Sequence, residues 1–347
     1  MVELGFVGDV YPGSGDSINI EPDVLRALAA VDLLVANLEG PITDTLKKGA
    51  DKGVRLRSAP ASTQFLSKMG VDVAILANNH MFDFGVQGFH DTVEALDRAG
   101  IAWLGAGPAL VDARRPLVME RDGLTIGLLA YSARSIQTVC ATETSAGCAP
   151  LDDDLVAADL AALEADVSVV FLHWGLMGYE LPTPEQRRIA QFLLDAGADL
   201  VVGCHPHVLQ GTSEVGQALV AHSLGDFAFY PESADGRPID QHRARQTGAL
   251  LTVRVEAGRV LGHELTLTRQ RKADVALEGS RRRHRAVARN RRKASGEMAG
   301  YAKVWRRYVL RRTITRGMRR LAPWRWRTLS VGAFKGFGVA LREMIRR

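Results

Sequence analysis

The sequence contains 347 residues, of which 46% are hydrophobic and 24% charged, with a formal net charge of +5. This length and composition are typical of one large globular domain or two ordinary ones. No stretch reaches the 18 apolar residues of a membrane-spanning helix, and three cysteines are too few for a disulfide scaffold. Because Met1-Val2-Glu3-Leu4 enters the first apolar run at once, we expect no signal peptide and a reducing, cytoplasmic location.

Short apolar runs alternate with helical patterns along the first hundred residues. The runs at 4–7, 33–36 and 73–77 predict buried strands, because they are short and continuously apolar. The intervening segments carry proline near their beginnings or glycine just after their ends, as helices do. The helices predicted on this pattern are Asp23–Ala30, Ser62–Met69 and Val86–Ala99.

The second half continues the alternation and then becomes richer in β structure. Residues 116–130 predict two strands joined by a tight turn at Asp122-Gly123. Helical patterns run from Asp152 to about Ala165 and from Gln186 to Ala196, and further apolar runs occupy 169–172 and 200–202. The later β segments are expected at 218–230, 247–256 and 259–268. Strands alternating with helices predict an α/β fold, with a β-sandwich flanked by helices.

The five apolar runs each end in residues that commonly bind metals. In α/β sheets, ligands bind beyond the carboxyl ends of the strands. Side chains that follow different strands are therefore expected to converge there. Carboxylates, an amide oxygen and imidazoles together form a donor set for a metal site. The strand-end residues of this kind are Asp9, Glu39, Asn79, His80, His173, His205 and His207.

Each of these residues also has an ordinary structural interpretation when considered singly. Asp9 suits a turn or a helix cap, and His173 suits a core histidine bonded to backbone. His80 is open to three interpretations: a ligand, a general acid or a loop histidine. Their joint occurrence at successive strand ends favours the metal site over separate structural roles. With Glu39 bridging, the set would suffice for two divalent ions, with Mn, Fe, Co or Zn as candidates.

At these residues the sequence resembles the CapA family of poly-γ-glutamate capsule biosynthesis proteins, within the calcineurin-like metallophosphoesterase superfamily. The resemblance covers roughly residues 3–268. The stretches that carry it are Gly8-Asp9, Asn37-Leu38-Glu39-Gly40-Pro41-Ile42, Ala77-Asn78-Asn79-His80-Met81-Phe82-Asp83-Phe84-Gly85, His173-Trp174-Gly175, residues 197–203, His205-Pro206-His207 and Ser223-Leu224-Gly225-Asp226-Phe227.

The resemblance implies a four-layer α/β/β/α sandwich with a two-metal site at its rim, binding Mn, Fe or Zn. Asp9 and His207 would then serve the first metal, and Glu39 would bridge the two. The ligands implied for the second metal are Asn79, His173 and His205. His80 would be the general acid, or would stabilise the transition state beside the leaving group.

Three positions depart from the patterns of the resembling families. Tyr11 stands where typical phosphoesterases place a histidine two residues after the first Asp, which leaves the first metal one ligand short. Asp226 stands where CapA-like sequences usually have Asn, and is either an additional ligand or a turn residue. Glu180 is the candidate for a carboxylate that usually follows His-Trp-Gly more closely, or else an ordinary solvated loop residue.

Charge divides the chain near residue 270. Residues 1–268 contain 19 Lys and Arg against 35 Asp and Glu, whereas residues 269–347 contain 25 against 4. We therefore predict a CapA-like metallophosphoesterase domain at 1–268 and a basic, partly helical tail at 269–347. Arginine clusters interleaved with Trp and Leu are typical of elements that bind an anionic membrane surface. Nucleic-acid binding is the less favoured partner, and a tail docked on the acidic body is a further alternative.

Together these features predict a metal-dependent hydrolase that acts on a phosphoester or an amide-like bond. Its substrate would be a polymer or small molecule of cell-envelope metabolism, such as the poly-γ-glutamate capsule. The tail would hold it peripherally at the inner face of the membrane. The alternative is a non-catalytic accessory protein of a membrane-bound polymer-synthesis complex, which the ligand missing at Tyr11 favours.

Overall fold

The computed structural model describes residues 1–13, 18–49, 52–239 and 246–294, together with Trp305, Tyr308 and Val309. The described residues contain short helices distributed along the whole chain. These helices are α1 (Pro22–Leu28), α2 (Ser62–Met69), α3 (Gly85–Ala99), α4 (Leu110–Ala113), α5 (Asp153–Ala162), α6 (Pro184–Asp195) and α7 (Arg281–Ala294). Those predicted from proline and glycine positions are present, with ends that differ by a few residues.

The strands of the described residues form two main sheets. The strands of the larger sheet are β1 (Val2–Tyr11), β2 (Asn19–Ile20), β3 (Leu33–Leu38), β4 (Val73–Ile75), β5 (Ala102–Leu104), β14 (Asp226–Phe229), β15 (Thr247–Glu256), β16 (Arg259–Arg271) and β17 (Asp274–Leu277). Those of the smaller sheet are β7 (Leu117–Arg121), β8 (Leu124–Ser132), β10 (Val167–His173), β11 (Leu200–Cys204), β12 (Thr212–Val215) and β13 (Ala218–Ala221). A separate short pair joins β6 (Ala106–Gly107) to β9 (Gly147–Cys148).

Parallel pairing in both sheets determines where the strand ends meet. In the larger sheet β1 runs parallel to β3, and β3, β4 and β5 continue in that direction. In the smaller sheet β8, β10, β11 and β13 are parallel neighbours. The carboxyl ends of these strands therefore lie along one edge of each sheet. The predicted mixed α/β architecture is confirmed.

Three hydrophobic clusters separate the layers of the fold. One lies between the two sheets and contains Leu33 and Val35 of β3 together with Val169 and Phe171 of β10. The alternate β3 residues, such as Leu34, face a second cluster under α1, α2 and α3. A third cluster packs α5 and α6 on the outer face of the smaller sheet. Because side chains alternate across a strand, one apolar run fills two layers at once.

The structure corrects the single β segment predicted at 218–230. Its first part is β13 in the smaller sheet, whereas its last part is β14, which pairs with β1 in the larger sheet. Gly225 lies in the connecting turn with a φ of +68°, and a Cβ atom there would lie 2.6 Å from the Thr247 carbonyl oxygen. An apolar pattern predicts extended backbone but not its pairing partner, so this crossing was not predictable from the sequence.

The larger sheet continues beyond residue 268, where the charge balance changes. Strand β16 extends to Arg271, and β17 pairs with both β16 and β2. Helix α7 follows and packs Val287 against Leu209 and Leu267 of the body. The compact unit that includes these elements runs from Met1 to Gly296, so the division at 268/269 stays a prediction from composition.

Most of the predicted basic tail lies outside the described residues. A second unit comprises Glu297–Arg347, and the structure describes only three of its residues. The amphipathic helix predicted at 328–346 is therefore not described. None of the described helices combines the length and apolar character needed to cross a membrane.

Candidate metal centre

The predicted site residues lie at the strand ends where the two sheets meet. Asp9 is near the end of β1, Glu39 follows β3, and His173 is the last residue of β10. Asn79 and His80 follow β4, and His205 and His207 follow β11. All seven are buried. The packing of the sheets thus brings residues separated by almost 200 positions into one region.

Asp9, Glu39 and His207 form the centre of this region. One potential ligand atom from each lies within 4.8 Å of the corresponding atoms of the other two. His207 Nε2 is 3.6 Å from Glu39 Oε1, and His207 Nδ1 is 3.4 Å from Asp9 Oδ2. Two carboxylates and an imidazole at these separations form a group that a divalent cation could occupy.

The Glu39 carboxylate fits a cation-binding role most directly. Both of its oxygens are buried, and neither has a hydrogen-bond partner among the described residues. Burial raises the pKa of Glu39 well above its usual range, with His207 opposing that rise. A buried carboxylate that accepts no hydrogen bond loses hydration without full replacement, and its contacts with His207 and His80 at 3.6 and 3.9 Å are too long to be hydrogen bonds. A bound cation would supply the missing partner.

Asp9 is held by neighbouring donors. The Asn37 side-chain amide donates to Asp9 Oδ1 at 2.7 Å, and the His205 backbone amide donates to Oδ2 at 3.2 Å. Burial raises the pKa of Asp9 to about 6, although His207 and these donors act in the opposite direction. The two bonds fix the orientation of the carboxylate toward the group.

Gly8 allows a second strand to approach Asp9 closely. The Asp9 amide donates to the Gly225 carbonyl at 2.9 Å, and a Cβ atom on Gly8 would lie only 1.9 Å from that oxygen. A residue with a side chain at position 8 would therefore displace the turn before β14. Asp226 follows that turn as the first residue of β14, so Gly8 has a steric reason to precede the first ligand candidate.

Asp226 pairs with His207. The Asp226 Oδ1 atom lies 2.7 Å from His207 Nδ1, which leaves His207 Nε2 facing Glu39. Burial lowers the pKa of His207, but the carboxylates of Glu39, Asp226 and Asp9 outweigh it and raise that pKa to about 10. Without a bound cation, His207 is therefore an imidazolium among these carboxylates, and a metal ion that it binds would displace its Nε2 proton.

His173, Asn79 and His205 lie beside the central group. His173 Nε2 is 2.9 Å from the side-chain oxygen of Asn79, and the rings of His173 and His205 pack edge to face at 4.9 Å. Burial, and then the neighbouring His205, lower the pKa of His173 well below its usual range. The imidazole is therefore neutral, as a metal ligand must be. The three-residue group at the centre includes neither His173 nor His205.

The backbone at His205 and His207 adopts an uncommon conformation. Their φ angles are +93° and +54°, in the left-handed region. Such conformations cost about 1–3 kcal/mol for residues with side chains and cluster at functional sites. Both imidazoles are thereby directed into the same region from either side of Pro206.

His80 belongs to a buried chain of polar contacts. Its Nδ1 atom is 2.6 Å from Asp83 Oδ2, and its Nε2 atom is 3.9 Å from Glu39 Oε1. The Lys52 ammonium lies 3.1 Å from Asp83 Oδ1 and also bonds the backbone carbonyl of Asn79. Asp83 thus holds one imidazole nitrogen while the other faces the central group.

Tyr11 and Glu180 do not contribute polar atoms to the centre. The Tyr11 hydroxyl donates to the backbone carbonyls of Glu232 and Arg57 at 3.1 and 3.3 Å, and burial raises its pKa to about 12. Glu180 is exposed and accepts a hydrogen bond from Asn290 of α7. The structure therefore places Asp226, but not Glu180, beside the predicted ligands.

Residues outside the predicted set also contact it, among them Asn37, Asp83 and Lys52. Asn37 precedes Glu39 by two positions, so on an extended chain both side chains point to the same side. This spacing is recognisable in the sequence. Asp83 follows His80 by three positions in a turn, which is also a recognisable spacing. Lys52 has no sequence signal, because its loop is brought to Asp83 only by tertiary packing.

A cavity of about 390 Å³ opens onto the centre. Its polar lining consists of Glu39, His80, His207 and Asp226, and the remainder is apolar. The candidate ligands are therefore accessible to a molecule of moderate size.

Sequence comparison identifies a family and several relatives. The family model described as Bacterial capsule synthesis protein PGA_cap matches residues 3–231. The PGA biosynthesis protein CapA of Bacillus subtilis is 33% identical over 245 residues, which cover 66% of this chain and 63% of that protein. The capsule biosynthesis protein CapA of Bacillus anthracis is 30% identical over 234 residues, covering 64% and 57%. The chain thus spans about three fifths of the length of these relatives.

Structural comparison supports the fold. A novel phosphatase from Mycoplasma pneumoniae superimposes with a TM-score of 0.52 and 13% sequence identity, covering 82% of this chain and 96% of that one. A hypothetical protein from Thermus thermophilus superimposes with a TM-score of 0.50 and 21% identity, covering 78% and 100%. At these identities the likeness concerns the mixed α/β fold alone.

Proposed function

Because this chain belongs to the bacterial capsule synthesis protein family PGA_cap, we propose that it is a metal-dependent hydrolase of a phosphoester or an amide-like bond. Its substrate would belong to the synthesis of poly-γ-glutamate capsule or another cell-envelope polymer. The observation that carries this proposal is the buried Glu39 carboxylate, which lacks a described hydrogen-bond partner and faces both Asp9 and His207. Such a group is costly to bury unless a cation completes it.

We assign the ligands as the resemblance implies. Asp9 and His207 would hold a first divalent ion, and Glu39 would serve both the first ion and a second. The remaining ligands, for the second ion, are Asn79, His173 and His205. This mixture of oxygen and imidazole donors suits Mn, Fe or Zn. When bound, such ions lower the pKa of a water molecule and neutralise negative charge that develops on the substrate.

The protein's own residues supply proton transfer and orientation. His80 Nε2 faces the centre and gives a proton to the departing oxygen or nitrogen atom. Asp83 holds His80 Nδ1, which fixes the ring and directs Nε2 toward the cavity. The Lys52 ammonium keeps Asp83 in place and fastens the Asn79 backbone beside it. Asn37 orients Asp9 in the same manner.

A non-catalytic accessory role is the second candidate function. Tyr11 stands where a ligand histidine is expected, and its hydroxyl bonds the backbone at Arg57 and Glu232 instead. A centre with one ligand fewer would bind its first ion weakly. In this case the protein would assemble a polymer-synthesis complex rather than cleave a bond.

Metal analysis and turnover distinguish the two functions. The hydrolase predicts close to two divalent ions per chain after reconstitution with Mn, together with hydrolysis of bis(p-nitrophenyl) phosphate or a γ-glutamyl amide. The accessory role predicts no turnover of either substrate and unchanged capsule production in cells that carry His80→Ala. Turnover that survives His80→Ala at the wild-type rate would contradict the assignment of His80.

We further propose that the basic carboxyl-terminal region binds an anionic membrane surface from the cytoplasmic side. Three exposed arginines of α7, Arg282, Arg285 and Arg289, recur at helical spacing and so share one face. The helix packs through Val287, which leaves those arginines free to meet lipid headgroups. Nucleic acid is the less favoured partner, because no base-reading motif accompanies the charge.

A further inference from the structure

The cavity above the candidate metal centre has two chemically different walls. One consists of Glu39, His80, His207 and Asp226. The other is entirely apolar among the described residues and consists of Val54, Leu56, Met177, Phe229, Pro238 and Ile239. A molecule bound in the cavity would therefore touch ligand side chains on one side and hydrocarbon on the other.

Two members of the apolar wall are exposed to solvent although they are hydrophobic. Val54 is 48% exposed and Met177 is 42% exposed. Single exposed apolar residues are common on protein surfaces, but these two come from distant loops and line one cavity. Because neither is buried, neither owes its position to packing of the core. Their surfaces are available to cover an apolar group of a bound molecule.

The apolar wall extends to the candidate ligands themselves. Tyr11, Leu56 and Phe229 form one buried cluster, against which Ile239 packs. The rings of Tyr11 and Phe229 lie 5.2 Å apart, and Phe229 meets the His207 ring edge to face at 5.3 Å. Since the Tyr11 hydroxyl points to backbone carbonyls, its ring contributes hydrocarbon where a ligand was expected.

Hydrogen bonds hold the Met177 loop in place. The Gly178 amide donates to the Pro206 carbonyl at 2.8 Å, between the two ligand-candidate histidines. The Gln210 side chain donates to the carbonyls of Tyr179 and Leu181 at 2.9 and 3.0 Å. Met177 is therefore positioned relative to His207 before any substrate arrives. Such preorganisation reduces the entropy lost on binding.

We infer that the substrate carries an aliphatic or aromatic group beside the bond that is cleaved, and that the apolar wall binds this group. The inference rests on the proposed hydrolase function and names a substrate class for that site. It excludes substrates whose only contacts would be charged, such as inorganic pyrophosphate. Val54 and Met177 are the residues that determine this specificity.

Binding of n-alkylphosphonates to the full-length, Mn-loaded protein tests the inference by calorimetry. Methyl-, butyl- and hexylphosphonate share one headgroup and differ only in hydrocarbon. We expect the dissociation constant to fall about fourfold for each methylene that the wall covers. Equal dissociation constants for all three compounds would overturn the inference while leaving the metal-dependent hydrolase intact.

The double variant Val54→Ser/Met177→Ser tests whether the apolar wall is responsible for the dependence of affinity on alkyl chain length. It should reduce affinity for hexylphosphonate at least tenfold and leave that for methylphosphonate unchanged. Val111→Ser is the matched control, because Val111 is 76% exposed and does not line this cavity. Loss of hexylphosphonate binding in the control instead would contradict the assignment.

A measurement without metal separates the inference from the proposed function. The methyl NMR signals of Met177 are used to monitor the binding of hexanol to the EDTA-treated protein. If no phosphonate binds but hexanol shifts these signals, the hydrolase proposal fails and the apolar wall remains a binding surface. If hexanol also leaves them unchanged, the inference is wrong.

Discussion

Asp226 Oδ1 lies 2.7 Å from His207 Nδ1, although Asp226 begins β14 of the larger sheet and His207 follows β11 of the smaller one. The contact turns the opposite ring nitrogen of His207 toward Glu39. A carboxylate behind a ligand histidine fixes the ring and makes it more basic. Asp226, considered at first as an additional ligand, is therefore in the position of a residue that orients one.

The first prediction concerns this pair. Asp226→Asn should lower the affinity of the first metal site about 10–100-fold, because the amide neither fixes nor polarises the imidazole as a carboxylate does. Competition with a chromophoric chelator measures the effect. Asp23→Asn, an exposed substitution of the same kind, is the control. Unchanged affinity in Asp226→Asn would show that the pair is only structural.

The second prediction concerns Glu39. Without metal, Glu39→Gln should increase the free energy of unfolding at pH 7 by about 1–3 kcal/mol, because it removes a buried carboxylate that accepts no hydrogen bond among the described residues and whose burial the facing His207 only partly offsets. The same substitution should abolish the stabilisation that Mn gives the wild type. Denaturant titration with EDTA and with Mn measures both effects, with exposed Glu185→Gln as the control. A destabilised metal-free variant would indicate that the ion pair with His207 outweighs the cost of burying Glu39.

The third prediction concerns His80. If it is the general acid, His80→Ala should reduce turnover about 10²–10⁴-fold with the metal content unchanged. Asp83→Asn should give a smaller loss, because the ring remains but its orientation is no longer fixed. Turnover is compared with metal content measured by mass spectrometry on the same samples. Loss of metal in His80→Ala would make His80 a ligand instead.

The fourth prediction concerns His222, which lies outside the centre. Burial lowers its pKa to about 3, and the neighbouring Arg187 adds to this. The unfolded chain protonates His222 near pH 6.5, whereas the folded protein does not until about pH 3. Its contribution to stability is therefore fully present above about pH 6.5 and is lost as the pH falls toward 3, by about 1.4 kcal/mol per pH unit.

The difference in unfolding free energy between the wild type and His222→Gln isolates the titration of His222 from that of other groups. Unfolding free energies of both proteins are measured by denaturant titration from pH 7 to pH 4, without metal. The unfolding free energy of the wild type should fall relative to that of the variant as the pH falls. Parallel curves would show that the pKa of His222 is the same in the folded and unfolded protein.

The fifth prediction concerns the arginines of α7. Replacing Arg282, Arg285 and Arg289 with Gln should weaken binding to phosphatidylserine vesicles about 100-fold, since each of the three charges near an anionic surface contributes about 1 kcal/mol. Cosedimentation of the full chain measures this effect. A triple variant of exposed body residues, Arg26, Arg98 and Arg115, is the matched control. Equal loss in both variants would argue against a specific membrane-binding face.

This experiment replaces residues rather than shortening the chain, because the sheet continues beyond the change in charge. Val275 of β17 is fully buried in the cluster under α1. A chain that ended at residue 270 would lose this packing, so its failure to bind vesicles would not be interpretable.

Much of the candidate site could be predicted because strand ends are recognisable in sequence. Asp9, Glu39 and His207 each follow a continuous apolar run, and parallel strands place such residues at one edge. Asn37 and Asp83 were missed although their spacing to Glu39 and His80 is regular. Lys52 could not be predicted, since no local pattern relates it to Asp83. The crossing at Gly225 was also unpredictable, because β13 and β14 form one extended pattern.

The sequence alone was sufficient to determine the alternation of strands and helices and the chemical types of the ligand candidates. These are local properties, set by apolar periodicity and by the residues that follow each strand. Only the tertiary structure decided that Asp226 pairs with His207, that Tyr11 packs behind the apolar wall and that Glu39 is left without a described hydrogen-bond partner. Those relationships depend on how two sheets pack against each other. Packing brings together residues that are distant along the chain, and the distances between their atoms are not encoded in any local pattern.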